Sequence, residues 1–249
     1  MERLEKLIAY LVPDLDLPQT REEQEWVLRA LMNIWEPKVM PAEFWSLQDA
    51  YLQEKLTQKN LTSLSDLQEV EPQIYLWQGD ITCLKVEAIV NAANSQFLGC
   101  FVPHHRCIDN AIHSQAGLQL RLACYQLMKA QGHLEATGQA KITPAYNLPA
   151  NYVIHTVGPI IQTEVGPQDE ALLASSYRKS LELAVANGLT SIAFCCISTG
   201  EFRFPQKRAA EIAIKTVRAF VYDHPQVQVI FNVFKDEDRE IYQELLGSR

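Results

Sequence analysis

The sequence predicts an α/β protein: a three-layer α/β/α domain with a largely parallel sheet, carrying a helical extension at its N-terminus. Two observations lead there. Apolar residues recur at helical spacing through roughly the first seventy positions, and from about Gln73 the period changes to short strand-like runs that alternate with helical stretches. Among those runs, residues 88–92 and 191–197 are apolar without alternation, as strands covered on both faces are.

In chain order, Leu4, Leu7, Ile8 and Leu11 keep one helical face until Pro13 and Pro18 interrupt it. Thr20 with Glu23 forms a capping-box signal, followed by Val27, Ala30, Leu31 and Ile34 on one face. Pro37 and Pro41 end that helix, and Phe44, Leu47 and Tyr51 open another. Residues 1–72 therefore read as a helical extension packed on a main domain of residues 73–249. Its aromatics, Trp26, Trp35, Phe44 and Trp45, read as core before they read as the wall of a groove. Strands follow at 74–77, 88–92, 140–145, 152–157, 191–197 and 227–234. Helices follow at 109–129, 171–186, from near Pro205, and at 237–246.

At 249 residues the chain suits one sizeable domain plus an appendage. A net charge of −8, from 22 basic and 30 acidic residues, argues against nucleic acid or an anionic membrane as partner. It leaves anionic ligands open, because backbone N–H groups at helix starts bind phosphate regardless of net charge. No apolar run reaches membrane-spanning length, and Met1-Glu2-Arg3 opens an amphipathic segment rather than a secretory signal. The six cysteines form no dense framework, so reduced thiols in a cytoplasm are expected. A monomer is the default expectation.

Three loops carry chemistry. Asp80, in Gly79-Asp80-Ile81-Thr82, ends a strand with a carboxylate that accepts from an exocyclic amine or simply caps a turn. Ser198-Thr199-Gly200-Glu201-Phe202 follows an apolar strand and precedes a helix with Pro205 near its start, a place where backbone N–H groups meet phosphate. The third, residues 91–113, holds Asn94, suited to a ribose hydroxyl or to an asparagine turn, and Asp109, at an expected helix start where a cap also fits. His113 lies one turn further on. Between them Cys100, His105 and Cys107 offer three soft metal ligands, the number a catalytic zinc keeps beside an open position; His104 is an alternative or fourth.

Taken in order, GDIT, AIVNAAN, IDNAIH, GQAKIT, YVIHTVGP and ISTG resemble the macrodomain family of ADP-ribose-binding proteins and hydrolases, over roughly residues 73–249. The resemblance implies the three-layer macrodomain with a mixed, mostly parallel sheet. Most macrodomains carry a run of glycines before the aspartate. The GCFVPHHRC segment here instead resembles the zinc-containing bacterial subfamily of protein ADP-ribosyl hydrolases, which also has a helical N-terminal extension.

That resemblance implies a zinc-dependent hydrolase removing mono-ADP-ribose from protein side chains, acidic residues foremost. One Zn²⁺ per chain would sit on Cys100, His105 and Cys107. Asp80 and the Ile81 backbone would take the adenine, with Phe234 packed on it; Ser198, Thr199, Gly200, Glu201 and Phe202 would wrap the diphosphate. Asn94 and Asp109 would act at the distal ribose. It further implies a lipoyl carrier protein, modified by a sirtuin-type transferase, as partner. Two other readings share these contacts: a non-catalytic ADP-ribose reader, and a hydrolase of O-acyl-ADP-ribose.

Overall fold

The structure, a computed structural model, describes residues 2–247. Three helices open the chain: α1 (Glu2–Leu11), α2 (Arg21–Ile34) and α3 (Ala42–Thr57). α1 buries Leu4, Leu7, Ile8 and Leu11, as the spacing predicts. α2 begins at the Thr20–Glu23 capping box. Its buried ridge is Gln24, Leu28 and Met32 rather than the face through Val27 and Ile34. The helix is gripped on two sides, by α1 and by the main domain, so the most apolar stripe does not alone decide its rotation. Gln24 is tolerated in the ridge because its amide donates to the Pro18 carbonyl at 2.9 Å.

Two short strands come next: β1 (Thr62–Ser63) and β2 (Glu69–Glu71). Then come β3 (Ile74–Gln78), β4 (Leu84–Lys85), β5 (Ala88–Ala92), α4 (Ile108–Ala116), α5 (Leu118–Gln131), β6 (Ala140–Pro144) and β7 (Tyr152–Thr156). The chain ends with α6 (Pro167–Ala186), β8 (Ser191–Phe194), α7 (Gln206–Asp223), β9 (Gln228–Val233) and α8 (Asp236–Gly247). β1 pairs with β4 in a two-stranded ladder. The main sheet has seven strands in the order β2-β3-β9-β8-β5-β7-β6. Its five central strands are parallel, and β2 and β6 close the two edges antiparallel. The fold is thus the three-layer α/β/α arrangement with a mixed, mostly parallel sheet, and the sheet begins ahead of Gln73, at Glu69. α6, α7 and α8 pack side by side in one layer; α4 and α5 pack against β5 and β6.

The helix expected at 109–129 is two helices. Gly117 takes φ 94°, a left-handed conformation that ends α4 and restarts the chain as α5. The extension docks on this pair. Asn33 donates to Ser114 Oγ at 2.9 Å, Gln48 accepts from the Leu118 N–H at 2.9 Å, and the buried Arg121 donates to the carbonyls of Met32 and Trp35 at 3.0 and 2.6 Å. Leu118 belongs to the extension's own apolar cluster, with Leu7, Leu28, Phe44 and Leu52.

Phe44 is core, Trp35 and Trp45 are partly buried against it, but Trp26 is exposed and lines a second cleft between the extension and α4. Its ring stacks on His104, centroids 3.4 Å apart. Among the described residues no helix is long and apolar enough to cross a membrane.

Candidate active site

Parallel strands end at one edge of the sheet, and loops leaving those ends build a cleft there. The loops after β3, β5, β8 and β9 enclose about 740 Å³. Of the residues singled out from sequence, Asp80, Ile81, Asn94, Cys100, His105, Cys107, Asp109, Ser198, Thr199, Gly200, Glu201, Phe202 and Phe234 line it, and His104 and His113 do not. Cys195, Asn232, Lys235 and Asp238 also line it and were not singled out. Cys195 is buried and at the same time forms part of the cleft wall.

At one end stands Asp80, which caps the short turn after β3. Its Oδ1 accepts from the Thr82 N–H and hydroxyl at 3.0 and 2.7 Å, and its Oδ2 lies 3.3 Å from Lys59 Nζ. Burial raises its carboxyl, but the Thr82 hydrogen bonds and the Lys59 charge outweigh that and hold it below the usual carboxylate range. Asp80 is therefore an ionised acceptor as well as a cap. Phe234 lies across the same end with its ring largely exposed.

Residues 198–202 form the next wall. Ser198 adopts φ 67°, and the Phe204 N–H donates to its carbonyl at 2.9 Å. This turn fits because Gly158 lies beneath it: a Cβ there would meet Ser198 Oγ and, at 2.7 Å, Ile197 Cγ2. Among the described residues the N–H groups of Gly200, Glu201 and Phe202 have no protein acceptor. Three successive free donors on a cleft wall suit an anion.

Opposite them is the thiol–imidazole group. One ligand atom from each of Cys100, His105 and Cys107 lies within 4.8 Å of the others. His105 Nδ1 is buried and has no hydrogen-bond partner, while Nε2 stands 3.7 Å from the Glu201 carboxylate. Two sulfurs and an imidazole nitrogen are a borderline-soft donor set, and this spacing fits zinc. Burial pushes the Cys107 thiol up to about 12, and Cys100 beside it raises it further, so a bound cation would favour Cys107 as the thiolate. His104 is not in the group: it turns at φ 55° onto Trp26, and its N–H donates to Asn33 Oδ1 at 3.0 Å.

Asp109 is not the cap of α4. Cys107 holds that position, its Sγ accepting from the Asn110 N–H at 3.3 Å. Asp109 sits in the first turn, 5% exposed. Its Oδ1 accepts from Asn91 Nδ2 at 2.8 Å and its Oδ2 from Asn94 Nδ2 at 3.4 Å. Burial pushes its carboxyl up to about 6, against the lowering pull of Asn91. Asn94 also makes an asparagine turn, accepting from the Gln96 N–H at 2.9 Å, so the turn and the cleft-lining reading hold together. His113 is buried, its Nε2 3.5 Å from Asp109, and burial pushes its pKa well down.

Comparison with known proteins places this arrangement. The family model described as Macro domain matches residues 90–213. A protein of Treponema medium named protein-ADP-ribose hydrolase is 49% identical, over 99% of this chain and 98% of its own length. One of the same name from Staphylococcus aureus is 46% identical, over 92% and 87%. A Trypanosoma brucei macrodomain solved in complex with ADP-ribose superposes with a TM-score of 0.69 at 30% identity, covering 84% of this chain and 92% of its own. Fold, cleft and near-full-length relatives agree, and the chain belongs to the macrodomain family.

Proposed function

We propose that the protein is a protein-ADP-ribose hydrolase that removes mono-ADP-ribose from a modified side chain, an ester of Asp or Glu foremost, with one zinc ion per chain. One observation carries the reading: the buried Asp109 carboxylate and the Cys100–His105–Cys107 donor group face the same cleft, beside an anion-binding wall. The names of the Treponema medium and Staphylococcus aureus relatives support it.

Adenine sits at the Asp80 end, its amine donating to the ionised carboxylate, with the Ile81 backbone beside it and Phe234 over it. The diphosphate takes the free N–H groups of residues 200–202. Phe202 then borders the distal ribose, and Asn94 holds its hydroxyl. Cys100, His105 and Cys107 hold the metal; zinc supplies Lewis-acid polarisation of a sugar or acyl oxygen there. Asp109, with a pKa of about 6, is largely ionised at neutral pH and orients a water toward the anomeric carbon, taking its proton. The ribose C1″–O bond breaks, the side-chain carboxylate leaves, and ADP-ribose is released.

The test is ADP-ribose release from a protein mono-ADP-ribosylated on an acidic residue, alongside metal analysis. The lipoyl carrier protein and sirtuin-type transferase that the resemblance implies are the first pair to try. Turnover is expected with about one zinc per chain. It is expected to fall after chelation, and in Cys107→Ala, while free ADP-ribose still binds. Retention of the modified protein without ADP-ribose release makes the protein a reader instead. Wild-type turnover by Cys107→Ala removes the metal from the mechanism.

A further inference from the structure

Three adjacent strands bury polar side chains in their runs: Asn91 in AIVNA of β5, His155, next to Thr156, in YVIHT of β7, and Thr143 in AKITP of β6. A sheet core has no packing need for them, and a buried polar group left unpaired is destabilising. Strand register explains how they meet. Asn91 pairs with His155 across β5 and β7, and Thr143 pairs with Val153, putting it diagonal to His155.

The hydrogen bonds run in one direction. Asn91 Nδ2 has two hydrogens; one goes to Asp109 Oδ1 at 2.8 Å, the other to His155 Nδ1 at 3.2 Å. His155 Nδ1 must then be the bare, accepting nitrogen, so Nε2 carries the hydrogen and donates to Thr143 Oγ1 at 3.0 Å. Burial keeps the ring neutral, as this requires. Reversing the Asn91 amide would set its oxygen against the carboxylate oxygen to which Nδ2 now donates. Cys124 and His113 complete a buried trio with His155, but both ring nitrogens of His155 are already engaged, so the trio is not read as a second metal site.

We infer that Asn91 is the positioning residue that aims Asp109 into the cleft, and that His155 and Thr143 fix Asn91 from behind. Asn91 supplies the shortest bond to the carboxylate; Asn94 donates at 3.4 Å, and His113 Nε2 stands 3.5 Å away without hydrogen-bond geometry. Only the kinetic arm of the test rests on the hydrolase reading.

Asn91→Ala is expected to lower kcat by about 10–100-fold, the scale of a 1 Å misplacement, while KM and ADP-ribose affinity move less than about 3-fold. His155→Gln keeps an acceptor and a donor and restores most of kcat; His155→Phe fills the space, offers neither, and falls with Asn91→Ala. In crystals, the Asp109 carboxylate is expected to leave its wild-type position in Asn91→Ala and to keep it in His155→Gln. An unmoved carboxylate in Asn91→Ala, or a kcat within about 3-fold of wild type, overturns the inference. Should the wild-type protein show no turnover, the hydrolase reading fails and the carboxylate positions still decide this one. Should the variants not fold, ¹⁵N spectra of the wild-type protein decide it: the Nε2–H tautomer of His155 is expected, and an Nδ1–H tautomer overturns the network.

Discussion

Lys59 Nζ stands 3.3 Å from Asp80 Oδ2 and 3.2 Å from Thr82 Oγ1, so a residue just past α3 reaches the loop after β3 and touches the far end of the cleft. The N-terminal extension thereby helps hold an acceptor ionised and oriented. Both side chains are partly exposed, so the pair is worth no more than about 1 kcal/mol. Lys59→Met is expected to weaken ADP-ribose binding by up to about 5-fold at low salt, with a smaller gap at high salt. Calorimetric titration at two ionic strengths checks this, and equal affinities at low salt would refute it.

The extension grips the loop of Cys100, His105 and Cys107 as well. Asn33 is buried, donates to Ser114 Oγ and accepts from the His104 N–H. Asn33→Leu removes both bonds and leaves the His104 N–H unpaired, at a cost of about 2–3 kcal/mol in unfolding free energy. Zinc affinity, read by competition with a chelator, is expected to fall with it. Stability lost without any change in zinc affinity would mean that the loop holds its shape alone.

Gly158→Ala tests the fit beneath residues 198–202. The added methyl would collide with Ser198 Oγ and crowd Ile197 Cγ2. Overpacking of this kind costs about 1–3 kcal/mol and shifts backbone, so both melting temperature and ADP-ribose affinity are expected to drop. Unchanged affinity would show that Ser198 can move without disturbing residues 200–202.

Glu87 carries a pH-dependent contribution to stability far from the cleft. Its Oε2 accepts from the N–H groups of Thr190 and Ser191 at 2.6 and 2.8 Å, and from both hydroxyls. Burial raises its carboxyl, but these four bonds outweigh it and hold the folded pKa below the ordinary value. A depressed folded pKa contributes stability above the unfolded pKa, and that stability is lost as pH falls through the folded one. Glu87→Gln is therefore expected to cost about 1–2 kcal/mol at pH 7. The difference should close in acid, below about pH 4. Thermal melts of both proteins across that range check it; a constant gap would contradict it.

Much of this was written in the residue pattern. Alternating apolar runs and helical stretches laid out the central strands, and ligand type and spacing singled out Cys100, His105 and Cys107, which the fold gathers within 4.8 Å. What escaped was set by tertiary geometry. β1 and β4 are two residues each and β2 three, too short to carry a period. Gly117 sits inside a helical pattern, and only its φ of 94° reveals a break. Asp109 looked like a cap because carboxylates cap helices, whereas a cysteine sulfur took that place. Trp26 read as core, yet it is the surface on which His104 stacks. Asn91, His155 and Thr143 were visible as polar interruptions in apolar strands, but register decides that they touch.

Leu118, buried in the extension's apolar cluster, has a consequence for how the chain is made. The first three helices leave the ribosome with their cluster incomplete, since the residue that finishes it is synthesised some sixty positions after α3 ends. Asn33 likewise waits 81 residues for Ser114. Contacts so distant along the chain form late and slowly. Until α5 emerges, the nascent extension carries an open apolar face, the surface that chaperones hold. The maturation of these helices is therefore tied to the arrival of α4 and α5.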